Sequence, residues 1–175
     1  MRPLVLVCLA AVLALPATAA AVHVAAAGDG TLSVSNAEGR VEFLRSFSGV
    51  VLGRVTTGRL EVVNPDADCN DLGVWDVDEV RELPLRGSRD GVRCVFRTVD
   101  RSMAMRFRLV REGDEVLVAG AGIWISAVGQ GRVYLEGKPN KLRDGTFSIN
   151  GERRGSLPDA GRTFTIGSRR PAAAP

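Results

Sequence analysis

The sequence predicts an all-β protein: an antiparallel sandwich or barrel built from two related halves. Apolar residues alternate with polar ones along most of the chain, as in Met103 to Leu109. Turn-forming pairs such as Asp29-Gly30 and Asn150-Gly151 separate these runs. No segment shows a convincing amphipathic-helix pattern. A β-solenoid ranks second, because the 20 glycines could mark its corners, but the internal repeat is too long for a single coil.

The apolar period of two marks the predicted strands and their core faces. In chain order, the alternating apolar positions are Leu32 and Val34, Val41 and Phe43, Leu60 and Val62, Val92 to Phe96, Met103 to Leu109, Phe147 and Ile149, and Phe164 and Ile166. Side chains two residues apart on a strand share one face, so these positions predict the buried side of the sheet.

Two segments resemble each other and organise the predicted fold. Phe43 to Val62 (FLRSFSGVVLGRVTTGRLEV) aligns without a gap with Val116 to Leu135 (VLVAGAGIWISAVGQGRVYL). We expect each segment, 43–62 and 116–135, to form a hairpin, with three-residue loops at 55–57 and 128–130.

The predicted hairpin at 116–135 places Trp124 opposite Tyr134 and beside Arg132. On an exposed sheet face these side chains are a candidate glycan platform. The structural alternative is a cross-strand aromatic pair, which contributes about 0.2–1 kcal/mol. We favour that alternative because Ile123 and Ile125 make the strand apolar on both faces.

A second candidate site is a basic strand pair. If residues 99–102 form a tight turn, Arg93 faces Arg108 on the outer side, with Arg97 and Arg106 nearby. Like charges placed opposite each other destabilise a sheet, so an anionic partner would relieve them. A solvated arginine-rich face is the favoured alternative, because long arginine side chains can move apart and form ion pairs with carboxylates.

The N-terminus has the features of a secretory signal peptide, predicted at residues 1–19. A positive start is followed by the apolar run LVLVCLAAVLAL, which is too short to span a bilayer, and then by an A-x-A cleavage site. Cys8 lies inside the apolar run and leaves with it. We expect one all-β domain at 28–167, a disordered tail at 168–175, and a secreted or cell-envelope protein.

The mature chain of about 155 residues is long enough for a single domain with a sizeable core. Loss of Arg2 changes the formal net charge from +3 to +2, so the charges nearly balance. We therefore expect no nucleic-acid partner, and no further apolar run approaches transmembrane length.

Two cysteines, Cys69 and Cys94, remain after cleavage, and an oxidising compartment favours a disulfide between them. Cys94 is in phase with the apolar strand positions around it, so we expect it to point into the core. Because His23 is the only histidine and no CxxC spacing occurs, we expect no zinc site, and we assign no metal-binding residue and no cofactor.

The acidic segment at 64–82, NPDADCNDLGVWDVDEVRE, is predicted to be a long excursion between the two halves. It does not fit a helix–loop–helix calcium loop, since Asp71 stands where glycine is needed and Val77 stands at the bidentate glutamate position. A solvated acidic loop tied down by Cys69 is favoured, and an irregular calcium site stays open.

The sequence lacks the usual signatures of catalysis, so we expect no enzyme. His23 lies too near the mature N-terminus to serve as a held base, and no GxSxG occurs. The carboxylate pairs, Asp76 with Asp78 and Asp114 with Glu115, lie at turns, where charge is common.

The signal peptide, the opening DGTLSVSNAEGRV, the core AGIWISAVGQGRVYLEG and the ending DGTFSING resemble small secreted, glycine-spaced β-rich proteins of high-GC actinobacteria. That group has no assigned function, so the resemblance implies no site residues. The sequence predicts a secreted, non-catalytic β domain whose specific role is unknown. The alternatives are a module that binds glycan or anionic wall polymer, and a structural or assembly subunit of the envelope.

Overall fold

The computed structural model describes residues 28–65, 68–85, 91–100, 102–112, 114–138 and 145–167. Over these residues the protein is all-β and its sheet is antiparallel, which confirms the predicted fold class. The predicted signal peptide, Cys8, His23 and the predicted tail at 168–175 lie outside the described residues.

Eleven strands form a continuous hydrogen-bonded sheet among the described residues. In chain order they are β1 (Gly30–Phe43), β2 (Ser48–Val55), β3 (Thr57–Val63), β4 (Val74–Trp75), β5 (Glu79–Pro84), β6 (Val92–Thr98), β7 (Met105–Glu112), β8 (Glu115–Gly137), β9 (Thr146–Ile149), β10 (Glu152–Arg153) and β11 (Arg162–Ile166).

The long strands β1 and β8 connect the whole sheet. As β1 advances from Gly30 to Phe43, its partners on β8 descend from Gly129 to Val116, which is an antiparallel register. The second part of β1, residues 39–43, also pairs with residues 137–133 of β8 on its other side. β1 therefore lies between two parts of the same strand, which requires both strands to bend.

The bends divide the sheet into two layers. Layer A contains, in order, β10, β9, the first part of β1, the middle of β8, β2, β7 and β4. Layer B contains β11, the end of β8, the second part of β1, the start of β8, β3, β6 and β5. Asn36 and Gly122 have φ values of 52° and 64° at the bends, where extended backbone cannot continue. The sheet is not closed over the described residues, so the sandwich is the predicted form that is found.

A core of buried apolar side chains fills the space between the layers, as the alternation predicts except at Met103, which precedes β7 and is 60% exposed. Among its members are Leu32, Val34, Val41, Phe43, Leu60, Val62, Phe96, Met105, Phe107, Leu109, Ile123, Ile125, Val133, Leu135, Phe147, Ile149 and Ile166. They come from both layers, so each layer buries its inner face against the other.

The prediction of two hairpins is wrong. β8 is one uninterrupted strand through residues 128–130, where the sequence pattern predicts a loop. Residues 48–54 pair with 130–124, and residues 57–63 pair with 121–115. The two similar segments therefore pair with each other, and both bend where Thr56 lies near Gly122. Their relatedness as an internal repeat stays a prediction.

The predicted β6–β7 hairpin is also wrong. β6 lies between β3 and β5 in layer B, and β7 lies between β2 and β4 in layer A. The connection after Thr98 thus crosses from one layer to the other. Asp78 stabilises the start of this connection by accepting hydrogen bonds from the backbone nitrogens of Val99 at 2.6 Å and Asp100 at 3.2 Å.

The acidic segment passes from layer B to the edge of layer A and back, and it contains strands. Its predicted place between two related halves stays a prediction. After β3 in layer B it contributes β4 to the edge of layer A, and then β5 to the edge of layer B. Cys69 forms a disulfide with Cys94 at a Cα–Cα distance of 5.4 Å, which confirms the predicted pairing and the inward direction of Cys94. Leu72 is buried beside them.

Candidate ligand-binding face

Four side chains form a row across the outer face of layer A, and we call them the tryptophan–arginine row: Trp124, Arg54, Arg106 and Trp75. Arg54 on β2 pairs with Trp124 on β8 and with Arg106 on β7. Arg106 in turn pairs with Trp75 on β4. Since neighbouring strands are about 4.8 Å apart, the backbone positions of the two tryptophans are about 14 Å apart.

The alternation of each strand turns this row outward. Val55, Phe107 and Ile125, each adjacent in sequence to a member of the row, are buried in the core. Trp124 is 39% exposed and Trp75 is 51% exposed, although large aromatic side chains are normally well covered. They are also the two tryptophans of the whole chain. Both large indole rings are therefore presented on one face.

The two arginines of the row have different partners. The guanidinium of Arg54 lies over the ring of Trp124, with its central carbon 4.8 Å from the ring centroid. This is a cation–π arrangement. Arg106 Nε donates a hydrogen bond to Asp76 Oδ2 at 2.7 Å. Arg54 forms no ion pair with any residue that the structure describes.

A shallow depression of about 470 Å³ adjoins the row on the side of β1. Its lining includes the hydroxyl-bearing residues Ser33, Ser35 and Ser126, together with Leu52, which is 44% exposed. Hydroxyl groups both donate and accept hydrogen bonds. The face thus combines flat aromatic surface, hydroxyls and guanidinium groups, which suits a long polar ligand that has apolar ring faces.

Gly53 shapes the floor of this depression. It faces Phe107 across the β2–β7 pair, and a Cβ at Gly53 would lie 2.3 Å from the Phe107 ring. The missing side chain lets the Phe107 ring fill the core directly beneath the row. β2 and β7 can therefore stay flat at this point.

A smaller cavity of about 240 Å³ lies on the outer face of layer B and is lined by charged residues. Glu61 receives ion pairs from Arg59 at 3.0 Å and Arg93 at 3.3 Å. Burial raises the pKa of Glu115, and the neighbouring Glu42 carboxylate raises it further. Carboxylates and guanidinium groups balance each other here, so the cluster is well explained as the charged cover of layer B.

A larger cavity, about 800 Å³, lies at the strand bends. Glycines form much of its wall, and the ion pair between Lys138 and Glu38 at 2.7 Å closes part of its rim. Its described lining contains no aromatic residue, and acidic and basic groups alternate around it. Nothing in this rim selects a ligand class, so the row in layer A is the stronger candidate site.

Comparisons with protein-family models, with curated proteins and with solved structures found no match.

The predicted glycan platform of Trp124, Tyr134 and Arg132 is wrong as a group. Tyr134 pairs with Glu42 and Thr163 in layer B, whereas Trp124 is in layer A. Their predicted proximity depended on a hairpin that β8 does not form. The turn at Gly161 also covers Tyr134, since a Cβ there would lie 2.0 Å from the phenol oxygen.

The predicted anion site is divided between the two layers. Arg93 and Arg97 are on β6 in layer B, and Arg106 and Arg108 are on β7 in layer A. Arg106 alone belongs to the tryptophan–arginine row, where Arg54 is its neighbour. The four arginines would share one face only if β6 and β7 formed a hairpin, which they do not.

Trp75 is one of two site residues that the sequence pattern did not predict, the other being Arg54. It lies in the acidic segment, where no alternation predicts a strand, and β4 contains two residues. Only its pairing with Arg106 places it on the outer face. The sequence signal that could have drawn attention to it is that tryptophan is rare in this chain.

Within the described residues, no group of three or more His, Cys, Asp or Glu side chains is placed to hold a metal ion. Over the same part of the chain, no helix has the length and apolar character needed to cross a membrane.

Proposed function

We propose that the protein is a secreted, non-catalytic module that binds an extended glycan in or outside the cell envelope. The observation that carries this proposal is the placement of Trp124 and Trp75 on one exposed row. Sugar rings have apolar faces that stack on indole rings, and their hydroxyls hydrogen-bond to polar side chains. Two rings about 14 Å apart suit an oligosaccharide laid across the strands better than a single sugar.

The rigidity of the site supports a binding role. The row lies on paired strands, and the Arg54 guanidinium already lies over the Trp124 ring. A site that is ordered beforehand loses less conformational entropy on binding. Exposed apolar side chains on the same face, including Leu52 and Val110, add contact area and mark an interaction surface.

The absence of catalysis is part of the proposal. Glu115, a carboxyl group whose pKa is raised, lies on layer B beside Glu42 and is not near the row. Beside the row, the carboxylate of Asp76 forms an ion pair with Arg106 at 2.7 Å. Glycoside hydrolysis needs two carboxyl groups, one on each side of the bond that is cleaved. Among the described residues, Asp76 is the one carboxylate that contacts the row.

Secretion follows from the predicted signal peptide. The disulfide between Cys69 and Cys94 is compatible with an oxidising, extracellular compartment. A glycan of the envelope is the ligand class that such a protein meets first.

Tryptophan fluorescence tests the proposal directly, since both tryptophans of the chain are in the row. We expect envelope polysaccharides to change the emission in a saturable way. Trp124→Ala and Trp75→Ala should each weaken binding about tenfold or more, measured by retention on insoluble glycan. Leu83→Ala, an exposed apolar residue on β5 in layer B, is the matched control and should bind normally.

The contrary outcomes are equally specific. If both tryptophan variants are retained as well as the Leu83→Ala control, the row is not a glycan site. If the mass of the protein rises with concentration and Trp124→Ala abolishes that rise, the face serves assembly, and the proposal is wrong.

A further inference from the structure

We infer that the glycan is acidic and that its anionic group binds between the two tryptophans, on the guanidinium groups of Arg54 and Arg106. This inference rests on the proposed function and deepens it, since it names the chemical class of the ligand.

Two like charges are paired directly in the middle of the row. Arg54 and Arg106 are cross-strand partners on β2 and β7. Paired positions in an antiparallel sheet have Cβ atoms about 5 Å apart, and like charges there destabilise the fold.

The positive charge of Arg54 and Arg106 is only partly neutralised by the described residues. Asp76 pairs with Arg106 at 2.7 Å, while Arg54 stacks on Trp124 and has no carboxylate partner among the described residues. Among the described residues, the Arg54–Arg106 pair therefore keeps one guanidinium that no carboxylate neutralises.

The geometry of the row also suits an anionic group. A guanidinium presents its N–H groups as a planar fork that matches the oxygens of a carboxylate or a phosphate. Arg54 lies between Trp124 and Arg106 in the row, so an oxyanion bound to the arginines has an indole ring on each side. A polymer whose sugars stack on the rings would bring its acidic group to the middle of the row.

The shared chemistry is an oxyanion attached to a sugar polymer, either as a uronic-acid carboxylate or as a phosphodiester. Two matched pairs of probes separate these sources. Polygalacturonate is compared with its methyl ester, and phosphomannan is compared with the same mannan after removal of its phosphate. Titrations follow tryptophan fluorescence with the full mature chain at low and high salt.

We expect at least one acidic polymer to bind about tenfold more tightly than its neutral counterpart, because charge-assisted hydrogen bonds are stronger than neutral ones. Arg54→Gln should remove most of that preference, so that the acidic and neutral polymers bind with similar affinity. Arg97→Gln, an exposed arginine on layer B, is the matched control and should keep the preference. High salt should reduce the preference, because screening acts on exposed charges.

The outcomes distinguish binding of an anionic group from glycan binding in general. If acidic and neutral members bind equally well, the anionic inference is overturned and glycan binding stands. If no member of either pair changes the fluorescence, both ideas fail. If Arg54→Gln and Arg97→Gln lower the acidic preference equally, the effect belongs to overall charge and the assignment to the row is overturned.

Discussion

A disulfide joins Cys69 to Cys94, with their Cα atoms 5.4 Å apart. Cys94 is a fully buried member of β6 in layer B, and Cys69 begins the stretch that reaches the edge of layer A. That stretch ends in β4, which presents Trp75 on the tryptophan–arginine row. The bond thus fixes the segment that supplies one end of the proposed site.

Replacing both cysteines with alanine should therefore affect stability and binding together. The bond spans a sequence separation of 25 residues, for which chain entropy suggests a loss of roughly 3 kcal/mol in the free energy of unfolding. Chemical denaturation measures this loss. We also expect weaker glycan binding, because Trp75 loses its tether while Trp124 does not. Unchanged affinity in a folded double variant would show that β4 holds its position without the bond.

The alternation of the sequence predicted the strands and the buried faces well. Phe96 and Met105 are inward because each is in phase with apolar neighbours, and that depends only on local geometry. The pairing of strands depends on distant parts of the chain, and alternation carries no information about it. β6 and β7 are adjacent in sequence with a short connection, yet they belong to different layers.

The candidate site was predicted only in part for the same reason. The sequence pattern placed Trp124 on the face opposite Ile123 and Ile125, as found, but it favoured a structural aromatic pair, and the expected partner, Tyr134, lies on the other layer. Its actual neighbours, Arg54 and Trp75, come from segments far away in the sequence. The bend near Gly122 takes one continuous strand from layer B into layer A, and the local sequence carries no turn signal that predicts this bend.

The glycine pair Gly49 and Gly129 gives a second prediction. They are cross-strand partners with φ values of 153° and 157°, and a Cβ on Gly129 would lie 2.1 Å from the carbonyl oxygen of Ser48. Gly129→Ala should therefore lower the free energy of unfolding by about 2 kcal/mol or more, because the β2 and β8 backbones must separate. Gly155→Ala is the matched control, since a Cβ at Gly155 would have no atom within 4 Å among the described residues, and it should change stability little.

The carboxyl group of Glu115 gives a prediction about pH. Burial raises its pKa, and the Glu42 carboxylate adds to the effect. The native state therefore holds this proton more tightly than the unfolded state, and stability falls as pH rises from the unfolded pKa, about 4.3, through the raised native pKa. Glu115→Gln should be more stable than the wild type at pH 7, and the difference should shrink as the pH is lowered to about 4.

Urea denaturation at both pH values measures this difference. Glu82→Gln, at an exposed residue of β5, is the control for the loss of one carboxylate from layer B. If the advantage of Glu115→Gln over the wild type is the same at both pH values, or is missing at pH 7, the raised pKa is not that of Glu115.

Asp76 offers the sharpest prediction, because its removal should improve binding. Its carboxylate occupies Arg106 at 2.7 Å and competes with an anionic group of the ligand for the same guanidinium. Asp76→Asn fits the backbone, since Asp76 has a φ of 60° and asparagine tolerates that left-handed conformation well. The variant should bind acidic polymers roughly two- to fivefold more tightly, the range expected for releasing an exposed ion pair, and it should bind neutral polymers with unchanged affinity.

Asp159→Asn, in the turn before β11, is the control for net charge. It changes the net charge by the same amount away from the row, so it should leave both affinities unchanged. Weaker binding of the acidic polymer by Asp76→Asn would mean that Asp76 positions Arg106 for the ligand, and the competition between them would be refuted.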